Sequence, residues 1–303
     1  MDKSSISKRR NDHIRECPRI TPRSKHGSRG AAVAFGCAEF RRDSCNLING
    51  LLLASCLAFA AWGCSGTSSV EKLAGELQNE NREIRYQAAK SLAKSGAGPK
   101  GAVPELAQAL SDTDPKVRYR AAQSLSKAGG EIKEAVPALA KVLSDRDPKV
   151  RYYAAKSLSD VGPDAEAAVP ALAQTLRDND PKTRYYAAKA LSKIGPAGMA
   201  AVPALVNALK DQDAKVRQYA AKSLAEIGPE GPQAKDAVAA LTQALSDDDS
   251  KVRSYAARAL GKIKSDALAA VPALNNALYD TDQEVRGAAA DALEKIKRPP
   301  QLQ

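Results

Sequence analysis

Beyond residue 64 the chain has no cysteine, histidine, tryptophan or phenylalanine. All five cysteines (Cys17, Cys37, Cys45, Cys56, Cys64), both histidines (His13, His26), Trp62 and the three phenylalanines fall at or before it. The rest of the chain therefore cannot build a Cys or His metal site, a Cys/His dyad or a Ser-His-Asp triad, and no disulfide can close within it. Carboxylates, Lys, Tyr and Ser are the reactive types left, so neither an enzyme nor a cofactor is expected. A strong local charge is also missing. The formal net charge is +11, but residues 1–64 hold 11 Lys/Arg against 5 Asp/Glu, leaving 35 against 30 for the remainder. A solvated surface of mixed charge accounts for that balance, and nucleic-acid or other polyanion binding stays a secondary reading.

What the remainder has is repetition. "DPKVRYYAAKSL" at Asp147 has near-copies starting at Asp114, Asp180, Asp213, Asp249 and Asp282. Aligning them puts unit starts at Val70, Val103, Val136, Val169, Val202, Val238 and Val271, spaced 33 residues apart with one step of 36. Self-similarity at a fixed period marks stacked supersecondary units, each packed chiefly on its neighbours. The division read from this is a basic extension at residues 1–46, an apolar segment at 47–64, a short linker at 65–69 and one repeat domain at 70–303. That domain is expected to be monomeric.

One unit shows its own fold. In the stretch from Val136 to Ala168, Val136, Leu139 and Leu143 form one apolar stripe at helical spacing, and Val150, Ala154, Leu158 and Val161 form another. Between them Asp147-Pro148 predicts an N-cap followed by proline at the first helical position. Gly162-Pro163 predicts the stop, repeated at Gly195-Pro196 and Gly228-Pro229. The expected array is helix, short turn, helix, short turn, with the extra residues near Gly231-Pro232 assigned to an edge loop.

A period of 33 also suits ankyrin and tetratricopeptide repeats, but neither signature is present. What is present is Val-Pro-x-Leu-x-x-x-Leu, then Asp-x-Asp-Pro-x-Val-Arg and Ala-Ala-x-x-Leu. This resembles the HEAT repeats, in particular the short HEAT-like type named from phycobilin lyases. The resemblance covers residues 70–303 and implies an all-α fold, an α-solenoid or superhelix of about seven two-helix repeats.

Two sets of repeated polar residues stand out. Arg85, Arg118, Arg151, Arg184, Arg217, Arg253 and Arg286 fill one position in every unit, and Asp112, Asp145, Asp178, Asp211, Asp247 and Asp280 fill another in six. The resemblance implies a structural ladder across the turns between repeats. The second set is aromatic and basic. On a helical wheel with Val150 at zero, the apolar residues centre near 30°, and Tyr152 and Lys156 fall at about 200° and 240°. They are expected to point away from the core with Tyr86/Lys90, Tyr119/Gln123, Tyr185/Lys189 and Gln218/Lys222, on the surface lined by second helices, which the resemblance makes concave. Tyr153, Tyr186, Tyr219 and Tyr255 are placed nearer the flank, between units. The candidate binding residues are Tyr86, Lys90, Tyr119, Tyr152, Lys156, Tyr185, Lys189 and Lys222, since tyrosine offers rigid amphipathic contact area and lysine attracts acidic partners. A solvated face with tyrosines covering aliphatic stems remains the alternative.

The leader points to export. Arg41 and Arg42 precede a mostly apolar run from Leu47 to Trp62, and small residues around Cys64 follow. The run falls just short of the ~20 residues that span a bilayer. Ala61-Trp62-Gly63-Cys64 resembles a bacterial lipoprotein signal, which implies acylation of Cys64 and attachment to a membrane of the cell envelope. A plain secretory signal with a chance cysteine is the alternative. Signals usually run ~15–30 residues, and this one would extend to residue 63, so translation from Val33 is expected.

Three functional classes follow. The first is a non-enzymatic scaffold binding a protein or peptide partner, acidic in character. The second is a phycobilin-lyase-like role in chromophore handling, opposed by the leader. The third, a HEAT-repeat di-iron hydroxylase, needs His-Glu metal motifs, and no histidine follows His26.

Overall fold

The computed structural model describes residues 65–95 and 100–297. The apolar leader and Cys64 lie outside them. Fourteen α-helices and no strands occur among the described residues, arranged as seven consecutive pairs. The first helices are α1 (Ser65–Glu76), α3 (Val103–Ala109), α5 (Val136–Lys141), α7 (Val169–Thr175), α9 (Val202–Ala208), α11 (Gly231–Ala244) and α13 (Val271–Ala277). The second helices are α2 (Arg82–Lys94), α4 (Pro115–Leu125), α6 (Pro148–Val161), α8 (Pro181–Ile194), α10 (Ala214–Ile227), α12 (Ser250–Ile263) and α14 (Gln283–Lys297). The all-α solenoid expected from the repeats is the architecture observed.

Each second helix begins as its Asp dictates. Asp114, Asp147, Asp180, Asp213 and Asp249 hold extended backbone and accept the amide two residues on with their carboxylates, at Lys116, Lys149, Lys182, Lys215 and Lys251. Pro115, Pro148 and Pro181 follow at the first helical position, where a missing N–H leaves nothing unpaired. Such a cap contributes ~1 kcal/mol. In the unit beginning at Val169, Thr183 takes the place of the buried valine and its hydroxyl is satisfied by Asp180 at 2.7 Å.

The core is one continuous strip of Leu, Val, Ile and Ala running through the repeats. Leu106, Leu139, Leu172, Leu205 and Leu241 of the first helices and Leu92, Leu125, Leu158, Leu191 and Leu224 of the second are fully buried. Paired alanines such as Ala121/Ala122 and Ala154/Ala155 are also fully buried and let successive second helices approach closely. The closeness shows in their bonds: the Ser124 and Ser223 hydroxyls donate to the carbonyls of Ala89 and Ala188, one helix back. At Gly261 any Cβ would lie 2.9 Å from Ala292 Cα, so no other residue fits between α12 and α14 without a shift.

Polar bonds join the turns. Arg118 donates from Nε to Asp145 at 2.6 Å and from Nη2 at 3.1 Å, while Nη1 donates to the carbonyls of Asp112 and Thr113 in its own turn. The same fork joins Arg85 to Asp112, Arg151 to Asp178, Arg184 to Asp211, Arg217 to Asp247 and Arg253 to Asp280. Each Asp also accepts the amide of the capping Asp two residues on, as Asp145 does from Asp147. Burial pushes the Asp112 and Asp145 carboxyls up, but the guanidinium forks of Arg85 and Arg118 and the cap amides outweigh it and hold both below the usual carboxylate range. Arg286, in the last unit, bonds the carbonyls of Asp280 and Thr281 of its own turn.

Three local expectations need correction. Residues 65–69, read as a linker, form the first turns of α1, because the apolar spacing that begins at Val70 continues a helix already started. The residues at Gly231-Pro232, read as an edge loop, open α11: Gly228 turns left-handed and Glu230 is extended, so the helix can restart at Gly231. Elsewhere the equivalent stretch is a 3₁₀ helix, as at Gly162–Ala168, Gly195–Ala201 and Lys264–Ala270. Finally, Gly162 and Gly195 have positive φ as expected but ψ of −132° and −138°, the mirror image of extended backbone and not the left-handed helix.

Lys264 occupies that same place with φ 60° and ψ −129°. A side chain there is strained, since only glycine visits this region freely. In parallel thermal melts, Lys264→Gly is expected to stabilise the protein by about 1 kcal/mol. Arg118→Ala, which strands the Asp145 carboxylate, is expected to destabilise it by about 1.5–3 kcal/mol. Equal stability of either variant with the parent would contradict the assigned strain or the assigned bond.

Candidate functional site

The surface formed by the second helices carries the candidate residues. These helices pack side by side along the array, whereas successive first helices are short and touch little, so the second helices form its inner layer. On them, residues 86, 119, 152 and 185 and their neighbours at 153, 186, 219 and 255 are tyrosines.

The structure joins the two tyrosine columns that the helical wheel had set apart. Ring centroids run Tyr119 to Tyr153 at 5.7 Å, Tyr153 to Tyr152 at 4.9 Å, Tyr152 to Tyr186 at 5.4 Å, Tyr186 to Tyr185 at 4.8 Å and Tyr185 to Tyr219 at 5.0 Å. Most of these contacts are edge to face, the arrangement that the ring quadrupole favours. Tyr86, Tyr119 and Tyr185, placed away from the core by the wheel, are half-buried and pack partly against it. The wheel describes one helix alone, and the neighbouring unit covers the side it leaves open.

Cations lie over this aromatic ladder. Lys90 sits over Tyr86 at 5.5 Å, Lys189 over Tyr186 at 5.5 Å and Lys222 over Tyr219 at 5.6 Å. Lys156 is half-buried and acts electrostatically on the Tyr152 hydroxyl. Pairs of this kind contribute ~0.5–1 kcal/mol when exposed, and they hold the lysine stems flat while leaving the ammonium heads available.

Four cations were missed in the sequence. Arg120 lies over Tyr119 at 4.8 Å, Lys149 over the same ring at 5.6 Å, and Arg258 over Tyr255 at 5.4 Å; Lys182 lines the cleft beside them. Arg120 stands where later units have the second tyrosine, and Lys149 and Lys182 belong to the Asp-Pro-Lys motif, whose capping role hid the use of its third residue.

A cleft of about 460 Å³ opens on this face, lined by Tyr119, Pro148, Lys149, Tyr152, Tyr153, Asp180 and Lys182. Tyrosine walls and two lysines suit an anionic group carried on a partly apolar chain. Asp180 is occupied as the cap of α8. A larger cleft of about 640 Å³, on the turns, is lined by Asp145, Arg151 and Asp178, whose charges are engaged in the inter-repeat bonds. Among the described residues no cluster of His, Cys, Asp and Glu could hold a metal ion.

The hydroxyls titrate unevenly. Burial pushes Tyr185 up to about 12, with the Tyr219 hydroxyl adding to it. The Arg120 guanidinium donates to the Tyr86 hydroxyl and holds that group below its ordinary value. Because Tyr185 keeps its proton more firmly folded than unfolded, its contribution to stability is complete below pH ~10 and is lost as pH rises toward the folded value. Absorbance at 295 nm is expected to show a tyrosine ionising near pH 12 that Tyr185→Phe removes. Loss of the Tyr86 signal at that pH instead would reverse the assignment.

The HEAT-repeat family is matched at residues 70–140, 130–179, 169–243 and 238–303. No match was found among curated proteins. Among solved structures, an engineered protein is 30% identical with a TM-score of 0.64, over 76% of this chain and 68% of its own. A second engineered protein is 29% identical with a TM-score of 0.45, over 75% and 96%. A designed armadillo repeat protein in complex with the peptide (KR)4 is 19% identical with a TM-score of 0.46, over 74% and 98%. With the repeat matched from residue 70 to residue 303 and the helix pairs stacked as described, the chain belongs to the HEAT-repeat family.

Proposed function

We propose that this protein is a non-enzymatic scaffold that works as a monomer and holds an acidic protein or peptide on its Tyr/Lys face, tethered to the cell envelope by lipid on Cys64. The observation that carries the binding reading is the cation-topped tyrosine ladder from Tyr86 to Tyr255. It is rigid, continuous over six units and positively charged, which are the properties that give affinity without large ordering costs. The tether rests on the order of Arg41, Arg42, the apolar run to Trp62 and Gly63-Cys64 in the sequence. Two or more acyl chains hold a protein at a membrane far better than one.

The binding reading is tested by fluorescence anisotropy with a labelled glutamate-rich peptide and its lysine-rich counterpart. Lys156→Glu with Lys189→Glu is expected to weaken capture of the acidic peptide at least tenfold with an effect that shrinks in added salt, and to leave the melting transition within about 0.5 kcal/mol. Equal capture of both peptides by the parent protein would end the reading. Tyrosine truncation is a poorer probe, because these rings also pack between units. For the tether, Cys64→Ala is expected to abolish incorporation of labelled fatty acid in a bacterial host and to release the protein from membranes. Retention of the variant would point to an uncleaved apolar anchor instead.

A further inference from the structure

Two charged columns flank the tyrosine ladder, and both reverse sign at the ends of the array. The third residue of each cap motif reads Glu83, Lys116, Lys149, Lys182, Lys215, Lys251, Glu284. The residue four after the first tyrosine position reads Lys90, Gln123, Lys156, Lys189, Lys222, Arg258, Asp291. The reversal has structural content at the C-terminal end. Arg258 donates to Glu284 at 2.8 Å, and a cleft there is lined by Glu226, Glu284 and Asp291 beside Arg258, Lys262 and Lys295. The positive potential therefore stops at the sixth unit. At the other end Glu83 accepts from Gln87 and faces solvent.

From this framing, and resting on the binding reading above, we infer that the ligand is an extended acidic peptide of about a dozen residues whose carboxylates recur every third residue. Lys116 to Lys251 spans four steps between adjacent second helices, and packed helices lie about 8–10 Å apart, giving roughly 32–40 Å. An extended chain advances about 3.3 Å per residue, so three residues match one repeat and 10–12 match the basic stretch. One carboxylate per repeat would reach the paired lysines of that unit, and the residues between would lie on the tyrosine rings. The cleft at Tyr119, Tyr152 and Tyr153, between Lys149 and Lys182, anchors the N-terminal half of the basic stretch. The carboxylates of Glu83, Glu284 and Asp291 repel an acidic chain that runs further, so the face measures length as well as charge.

Labelled peptides on the full chain test this by anisotropy. One 12-residue peptide carries Glu at every third position, a second has the same composition with its Glu residues clustered at one end, a third is cut to six residues and a fourth is extended to eighteen with the same period. The spaced 12-residue peptide is expected to bind at least tenfold more tightly than the clustered or short ones. The 18-residue peptide is expected to gain nothing on the parent protein and to gain severalfold on Glu284→Lys with Asp291→Lys, whose fold is checked by circular dichroism. Equal binding of spaced and clustered peptides would overturn the register while leaving the acidic-partner reading intact. Failure of every acidic peptide would overturn both. Tighter binding of inorganic polyphosphate than of any peptide would make the occupant a polyanion and overturn the peptide register.

Discussion

The bidentate bond from each Arg to the Asp of the next unit is the constraint on which the rest depends. Its donors and acceptors are mostly out of solvent, with Arg side chains 14–17% and Asp side chains 7–12% exposed. A planar fork on a carboxylate tolerates little rotation, so it fixes register as well as contributing energy. Because the third guanidinium nitrogen holds two carbonyls of its own turn, as Arg151 holds those of Asp145 and Arg146, the turn is rigid before it meets its neighbour. The apolar strip beneath supplies most of the stabilisation, but Leu, Val and Ala contacts alone would permit sliding.

Register is what turns a set of tyrosines into a ladder. Tyr152 reaches Tyr186 across a unit boundary and Tyr153 reaches back to Tyr119, and neither contact survives a one-residue shift of a second helix, which turns the ring by about 100°. The fully buried Ala pairs bring the helices near enough for those contacts, and the serines bonding back to Ala89 and Ala188 close the remaining distance. The face is thus a product of the junctions.

Much of this was legible in the sequence for a specific reason: each element is specified by residues close together in the chain. Asp-Pro announces a second helix, Gly at residues 162 and 195 announces its end, and apolar spacing names the buried side. What was not legible depends on the neighbouring unit or on fine backbone choice. The wheel put Tyr152 and Tyr153 on different surfaces because it contains no second helix. The role of Lys149 was masked by the cap motif it belongs to, and the strain at Lys264 appears only when its φ is known.

The two repeated columns behave differently along the array, and the difference bears on what each is for. Arginine occupies its position in all seven units, including the last, where Arg286 has no following unit and still clamps its own turn. A residue that the fold requires must recur wherever the fold recurs. The tyrosine column instead runs from Tyr86 to Tyr185 and then changes to Gln218, Ser254 and Gly287, although α10, α12 and α14 are as regular as the helices before them. The adjacent column holds Tyr153 to Tyr255 and changes to Ala288, and the lysine columns end in Glu284 and Asp291. Helix stacking is therefore satisfied without these residues. Their restriction to the middle of the array reflects a requirement beyond folding, of the kind imposed by a ligand of finite length.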